Sequence, residues 1–390
     1  MNWLDSTRFS AGLQLAGHTE VMNEEEAEIV FINSCTVTAR ADRQSRQEAN
    51  RAKRLGKKVA IFGCGPKADP VSWKEHFPDI LIFSNDAEFR SFFQIPEEAD
   101  EFLSSAHRTR IPIAIQNGCD NQCTFCITRI ARGKTEDIPL EVILRQILRA
   151  ESLGVREVVL TGIQLASWGC GHSEHYPEKT KLPFLLKVIL QKTKTVRVRL
   201  SSLGPQFLRK EFFDVFENPR ICDHLHLSVQ SGSPSILRKM NRGHGTEEVF
   251  SAVEMARQKR PDVAITGDFI TGFPTESEHD FLETKKLVTN LKFAKLHVFP
   301  FSARKGTSAA RFSGQVPVPL RKERAALLRI TGDELRKAFL TQQMGKSFEI
   351  LAEEGMHGIS GNYIRFHTPG KRPGTLFSAH LSVENIAEEF

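Results

Sequence analysis

The sequence predicts an α/β protein with an N-terminal α/β domain, a partial (β/α) barrel core and a small C-terminal β-barrel. Three observations predict it. Apolar strand-like segments alternate with amphipathic helical patterns from about residue 105 to 335; a shorter strand–helix alternation fills the first hundred residues; and after about Lys337 the pattern switches to short strand-like pieces broken by glycine and proline. Strands separated by helices imply βαβ units and a parallel sheet, which places ligand loops at the carboxyl ends of the strands.

The first domain is expected over residues 1–98. Ala27–Ile32 reads as a buried strand running into Asn33, Ser34 and Cys35, and Ala39–Leu55 as a polar, charged helix. A second strand, Lys58–Phe62, breaks at Gly63, Cys64 and Gly65, so both cysteines fall just past strand ends. Pro96–Ser105, acidic and small-polar, reads as the boundary.

The core is expected over 105–335, with strands Ile111–Ile115, Glu157–Leu160, Val196–Leu200, His224–Val229, Val263–Ile270 and Lys295–Pro300. Between the first two, Leu140, Ile143, Leu144, Ile147 and Leu148 recur at helical spacing, with Pro139 before and Gly154 after, so that face should pack on the sheet. The last domain, 338–390, carries strand-like Ser347–Leu351 and Gly361–Phe366.

Composition is that of a globular protein, 40% hydrophobic with a net charge of +6. No apolar run reaches the roughly 18 residues of a membrane span, so a soluble cytoplasmic protein is expected. The charge is locally concentrated: Arg40, Arg43, Arg46, Arg51, Lys53, Arg54, Lys57 and Lys58 share one helical stretch and its exit. They read either as a solvated helix face or as a phosphate-contacting surface for RNA.

Chemistry concentrates in the run Gln-Asn-Gly-Cys119-Asp-Asn-Gln-Cys123-Thr-Phe125-Cys126. Four thiolates usually hold an iron–sulfur cluster, so three leave one iron open to a substrate or cofactor. Structural zinc is the competing reading, but it wants four protein ligands, and no fourth Cys or His follows at finger-like spacing. Disulfides are disfavoured without a secretory signal segment. Cys170 and Cys222 match no cluster pattern.

The ordered set of motifs resembles the methylthiotransferase branch of the radical S-adenosylmethionine (SAM) enzymes. It comprises Phe31-Ile-Asn-Ser-Cys35-Thr-Val-Thr, Ile61-Phe-Gly-Cys64, the three-cysteine loop with Arg132-Gly133, Val158-Val-Leu-Thr-Gly162, Arg199-Leu-Ser-Ser202, His224-Leu-His-Leu-Ser-Val-Gln230-Ser-Gly232, Asp268-Phe-Ile-Thr-Gly272-Phe-Pro274 and His297-Val-Phe-Pro-Phe-Ser-Ala-Arg304-Lys-Gly-Thr307. The resemblance spans nearly the whole chain. It implies a [4Fe-4S] cluster on Cys119, Cys123 and Cys126 that chelates SAM at the open iron, with Phe125 beside the adenine, and a radical generated when SAM is cleaved. It also implies a second [4Fe-4S] cluster at Cys35 and Cys64, whose third ligand, a cysteine three residues before Asn2, would lie upstream of Met1. The expectation is a misplaced start, the alternative being a cluster held by two thiolates or replaced by other ligands.

Leu160-Thr-Gly-Ile-Gln-Leu-Ala-Ser-Trp-Gly169 and His297-Val-Phe-Pro-Phe-Ser302 look most like the subgroup that methylthiolates C2 of N6-threonylcarbamoyladenosine at position 37 of tRNA, with two SAM molecules. The implied alternatives are isopentenyladenosine in tRNA, a ribosomal-protein aspartate, or a non-catalytic metal-containing RNA-binding relative. The implied partners are tRNA and an electron donor such as a flavodoxin or ferredoxin, with no membrane and a monomeric chain. Glu157, Arg199, Ser201 and Gln230 are expected at the barrel mouth, lining the SAM or substrate site. His224 and His226 alternate along one strand and read as a structural pair. Two departures from the family pattern are Glu136 and Asp137 after the cysteine loop, and Gly204 where relatives often carry Glu.

Overall fold

The computed structural model describes residues 2–96, 109–170 and 182–387, and the expected boundary Pro96–Ser105 lies outside them from residue 97 onward. The chain forms two compact units: Met1–Ala106 with Gly118–Thr135 and Ser302–Arg311, and His107–Asn117 with Glu136–Phe301 and Phe312–Phe390. The cysteine loop therefore folds with the first hundred residues, unlike the expected three-segment division. Contacts inside that unit explain this: Arg132 Nη2 donates to Asp5 Oδ2 at 2.6 Å, and Ala309 N to Thr124 O at 2.8 Å.

In the first unit, β1 (Ile29–Ser34), β2 (Lys58–Gly63) and β3 (Leu81–Ile82) form a parallel sheet in that order. Successive side chains of β2 point to opposite faces, as the period of two requires. Ala60 and Phe62 join Phe9, Phe83, Phe89 and Phe93 on one face, and Val59 and Ile61 join Trp73, Phe77, Ala49 and Ala52 on the other. The charged helix Ala39–Arg54 can pack because two alanines, Ala49 and Ala52, are its buried residues.

The second unit carries β4 (Arg110–Asn117), β5 (Glu136–Asp137), β6 (Glu157–Gly162), β7 (Arg197–Leu200), β8 (Ser202–Leu203), β9 (His224–Gln230), β10 (Ala264–Thr271) and β11 (Lys295–Pro300). They form two four-stranded sheets, ordered β5-β4-β6-β7 and β8-β9-β10-β11, in which every pairing except β4 with β5 is parallel. β7 and β8 are one strand path interrupted at Ser201, and a parallel bridge pairs Val198 with Ile221, shortly before β9. The result is the partial barrel. The expected helix is present over Leu140–Ser152, but its buried residues are Ile143, Ile147 and Ala150, while Leu148 is exposed. Small Ala150 is where the helix closes on its neighbours.

Glu136 and Asp137, the first departure from the family pattern, form β5 against Asn117 and Gln116, and Asp137 Oδ2 accepts from Gly169 N at 3.0 Å. They rivet the entry and exit of the chain at the end of β4.

At the other end, β12 (Ser347–Ala352), β13 (His357–Ser360), β14 (Arg365–His367) and β15 (Leu376–His380) make an antiparallel sheet in the order β14-β13-β12-β15. The chain after β15 covers the β14 edge: His367 N donates to Asn385 O at 2.7 Å and Ala387 N to Arg365 O at 3.0 Å, around a Phe366–Ile386 bridge. The strand expected over Gly361–Phe366 is instead a hairpin turn followed by β14, because Gly361 and Asn362 break the ladder. The helix Val318–Gln343 runs unbroken through residues 335–338, and its Phe339 and Leu340 sit in one core with Ile350, Ile364, Phe366 and Ala264.

Glu157 and Arg199 are corrected by the fold. Glu157 is the first residue of β6, at the amino end and fully buried, with its carboxylate taking Arg197 Nε at 2.6 Å and Arg199 Nε at 2.7 Å. Both guanidinium groups then reach the C-terminal sheet: Arg197 donates to Glu349 O and Ile359 O, and Arg199 to Ser360 O and Gly361 O. Arg199 also stacks on Tyr363 at 4.2 Å. These side chains fasten the end of the barrel opposite the expected mouth. Burial alone would push the Glu157 carboxyl up, but Arg199 and Arg197 outweigh it and hold it at about 2, below its ordinary 4.5.

A carboxyl lowered on folding adds stability above its unfolded value, and this is lost as pH falls from about 4.5 toward 2. Glu157→Gln leaves two buried guanidinium groups short of their counter-charge and should cost about 3 kcal/mol or more. Urea unfolding at neutral pH measures that loss. Repeated between pH 4.5 and 2, wild type should lose stability more steeply than the variant, which lacks this titration.

Candidate active site

Two groups of residues qualify, one in each unit. In the first unit, the cysteine loop leaves β4 through Gly118, whose φ is +68° and whose added Cβ would lie 1.7 Å from Lys134 O. Only glycine passes there. The loop is then closed by Cys119 N donating to Gly133 O at 3.1 Å and tightened by Cys126 N donating to Cys123 O at 3.1 Å. Cys119, Cys123 and Cys126 are half-buried, as is Phe125 between the last two. Three partly accessible thiols on one short, backbone-braced loop are the donor set an iron–sulfur cluster requires.

Cys35 and Cys64 follow the paired residues Ser34 and Gly63 at the carboxyl ends of adjacent strands. Gly63, at φ +94°, turns the chain sharply, and Cys64 opens the short helix Cys64–Ala68. Ser34 Oγ fixes this turn, donating to Phe62 O at 2.7 Å and accepting from Gly65 N at 3.0 Å. Burial pushes the Cys64 thiol up; the hydrogen-bonded Arg132 guanidinium opposes it, and Cys35 is near enough to interact electrostatically. Arg132 thus links the helix after the cysteine loop to Cys64 and Asp5. Two converging thiols beside a cation fit an anionic metal centre.

In the second unit, Ser201 and Gln230 lie at strand carboxyl ends. Ser201 lies in the β7–β8 interruption and its Oγ is buried without a partner among the described residues. Gln230 ends β9 with φ +77°, a strained conformation for a non-glycine residue. Sequence reasoning missed two neighbours. Gln164 Nε2 and Gln206 Oε1 are also buried without partners among the described residues, and both flank Gly204, whose added Cβ would lie 3.2 and 2.7 Å from them. Gln116 on β4 fixes the first of these loops, its Oε1 accepting from Gln164 N at 2.8 Å. Gln164 lies inside a quoted motif; nothing in the sequence marks Gln206. Buried polar atoms lacking partners are costly unless a ligand satisfies them.

Residues 113–288 match the Radical SAM superfamily and residues 1–84 match Uncharacterized protein family UPF0004. Threonylcarbamoyladenosine tRNA methylthiotransferase MtaB of Rickettsia prowazekii is 33% identical over 86% of this chain and 83% of that protein. The protein of the same name from Thermotoga maritima is 30% identical over 100% of this chain and 93% of that one. The chain belongs to the radical SAM tRNA methylthiotransferase family.

A tRNA-2-methylthio-N(6)-dimethylallyladenosine synthase of Caldicellulosiruptor saccharolyticus is also similar, 31% identical over 90% of this chain and 80% of that protein. Among solved structures, the radical SAM methyltransferase TsrM from Kitasatospora setae shares the fold, with a TM-score of 0.55, 14% identity, and 75% of this chain and 64% of that one covered. As a member of its family this protein is a radical SAM transferase acting on tRNA. No helix among the described residues is long and apolar enough to cross a membrane.

Gly118→Ala should prevent loop closure. In a chain whose Cys35 and Cys64 are both replaced by Ala, iron and sulfide retained after anaerobic reconstitution should drop several-fold on adding Gly118→Ala. Undiminished iron would mean that the loop does not carry the cluster.

Proposed function

We propose that this enzyme attaches a methylthio group to C2 of N6-threonylcarbamoyladenosine at position 37 of tRNA, consuming two SAM molecules. The observation carrying this reading is the name borne by relatives that match 86% and 100% of the chain. Cys119, Cys123 and Cys126 would hold the SAM-binding cluster, and Cys35 and Cys64 would supply two ligands of a second. A cluster held by Cys119, Cys123 and Cys126 would, once reduced, supply the electron for SAM cleavage, the radical chemistry an unactivated aromatic C–H bond requires.

The chain's own residues bind and orient. In the second unit Gln164, Ser201 and Gln206 offer polar atoms that a nucleoside or SAM would satisfy; in the first, Phe125 gives the cysteine loop an aromatic face. Gln230 ends β9 in a strained backbone, immediately before Ser231-Gly232-Ser233. Arg40, Arg43, Arg54 and Lys58 are exposed and suited to tRNA phosphates. The other members of that cluster have partners already: Arg46 lies over Trp73 at 4.1 Å, Arg51 pairs with Glu24 and Glu48, Lys53 with Asp79, and Lys57 donates to Glu25 O. An external one-electron donor of the flavodoxin or ferredoxin kind completes the scheme. The chain would act as a cytoplasmic monomer.

The dimethylallyl-type relative, at comparable identity, supports isopentenyladenosine as the second reading. Mass spectrometry of tRNA nucleosides from cells lacking the gene separates them. 2-Methylthio-N6-threonylcarbamoyladenosine should vanish and return with the wild-type gene but not with Cys123→Ala. Its persistence, with loss of the 2-methylthio isopentenyl nucleoside instead, would overturn the substrate assignment.

A further inference from the structure

Three neighbouring strands of the second unit bring together His226, Asp268 and His297, which neither the cysteine sites nor the polar groups at the strand carboxyl ends use. His226 Nε2 lies 3.0 Å from Asp268 Oδ2, and His297 Nδ1 lies 3.5 Å from Asp268 Oδ1. One ligand atom from each residue lies within 4.8 Å of the others. The strand register produces this: Asp268 pairs directly with His297 across β10 and β11, and Thr266, which faces the same side as Asp268, pairs with His226 across β9 and β10.

The far nitrogen of His226 is also accounted for. Its Nδ1 is 2.8 Å from Thr266 Oγ1, and the same hydroxyl is 2.8 Å from His224 Nε2. A polar partner on one imidazole nitrogen holds the ring orientation and leaves the other nitrogen to a ligand, the arrangement that metal-binding histidines recurrently show. His224 thus takes the structural role expected of the pair, and His226 is left with Nε2 directed at Asp268. His226 and Asp268 side chains are 11% and 23% exposed, whereas His297 is 45% exposed and leaves a route in.

We propose that His226, Asp268 and His297 form a binding site for a divalent first-row transition ion. Two imidazoles and one carboxylate suit zinc, iron(II), cobalt(II) or manganese(II), and leave further coordination positions for water or an oxygen ligand. The site is separate in its ligands from the cysteine centres, so nitrogen and oxygen ligation distinguishes it from them.

Cobalt(II) is the probe. Added anaerobically to the full-length, iron–sulfur-reconstituted chain, it should bind at one ion per chain, with visible d–d bands, no sulfur-to-cobalt charge-transfer band, and displacement by zinc(II). His297→Ala, at a half-exposed position, and separately Asp268→Asn should each weaken that binding by at least about tenfold, while circular dichroism and cluster iron stay unchanged. Absence of binding at millimolar cobalt, a thiolate charge-transfer signature, or binding unaffected by both substitutions would overturn the proposal.

Discussion

The buried carboxylate of Glu157, shared by Arg197 and Arg199, decides which end of the barrel is structural and which is chemical. These three charges are removed from water and compensate one another, and the guanidinium protons left over are satisfied by carbonyls of residues 349, 359, 360 and 361. The C-terminal sheet is thereby attached at the amino ends of β6 and β7, reinforced by Arg110 to Glu353 at 2.8 Å from the start of β4 and by Tyr363 against His224 at 4.4 Å. Cys222 shares this interior, its Sγ 3.8 Å from Glu157 Oε2 and its thiol pushed by burial to about 12. It is inert there. A parallel sheet closed at its amino ends has its carboxyl ends left for ligands.

The unsatisfied polar atoms lie where that logic requires. Ser201, Gln164 and Gln206 all belong to segments that follow strand carboxyl ends, and β4 delivers the chain at its own carboxyl end into Gly118 and the cysteine loop. In the other unit the same rule places Cys35 and Cys64 just beyond β1 and β2. Both units therefore use one device: a buried parallel strand sets the position, a glycine or a broken strand turns the chain, and a reactive or polar side chain follows.

Much of this was legible in sequence because it rests on period and punctuation. The six core strands, the two strands before Cys35 and Cys64, and the three-cysteine spacing all follow from apolar alternation ended by Gly or polar residues. Glu157 and Arg199 were legible as unusual but not as anchors, since Glu157 meets its guanidinium partners about 40 residues on and Arg199 reaches carbonyls 161 and 162 residues away, which carry no sequence signal. Leu148 faces solvent and Ala150 the interior, which the apolar spacing alone does not reveal. Gln206 has no motif of its own; what singles it out is a buried oxygen without a partner beside Gly204. Joining His226 to Asp268 and His297 likewise needed the register of β9, β10 and β11.

The central claim is that the loop from Cys119 to Cys126 carries a SAM-cleaving iron–sulfur cluster. Its most direct test is the purified chain, reconstituted anaerobically with iron and sulfide, given SAM and a strong reductant, and assayed for 5′-deoxyadenosine. The account predicts that 5′-deoxyadenosine forms with the wild-type chain and is abolished by Cys123→Ala. Tight zinc on the three cysteines with no 5′-deoxyadenosine formed would contradict it.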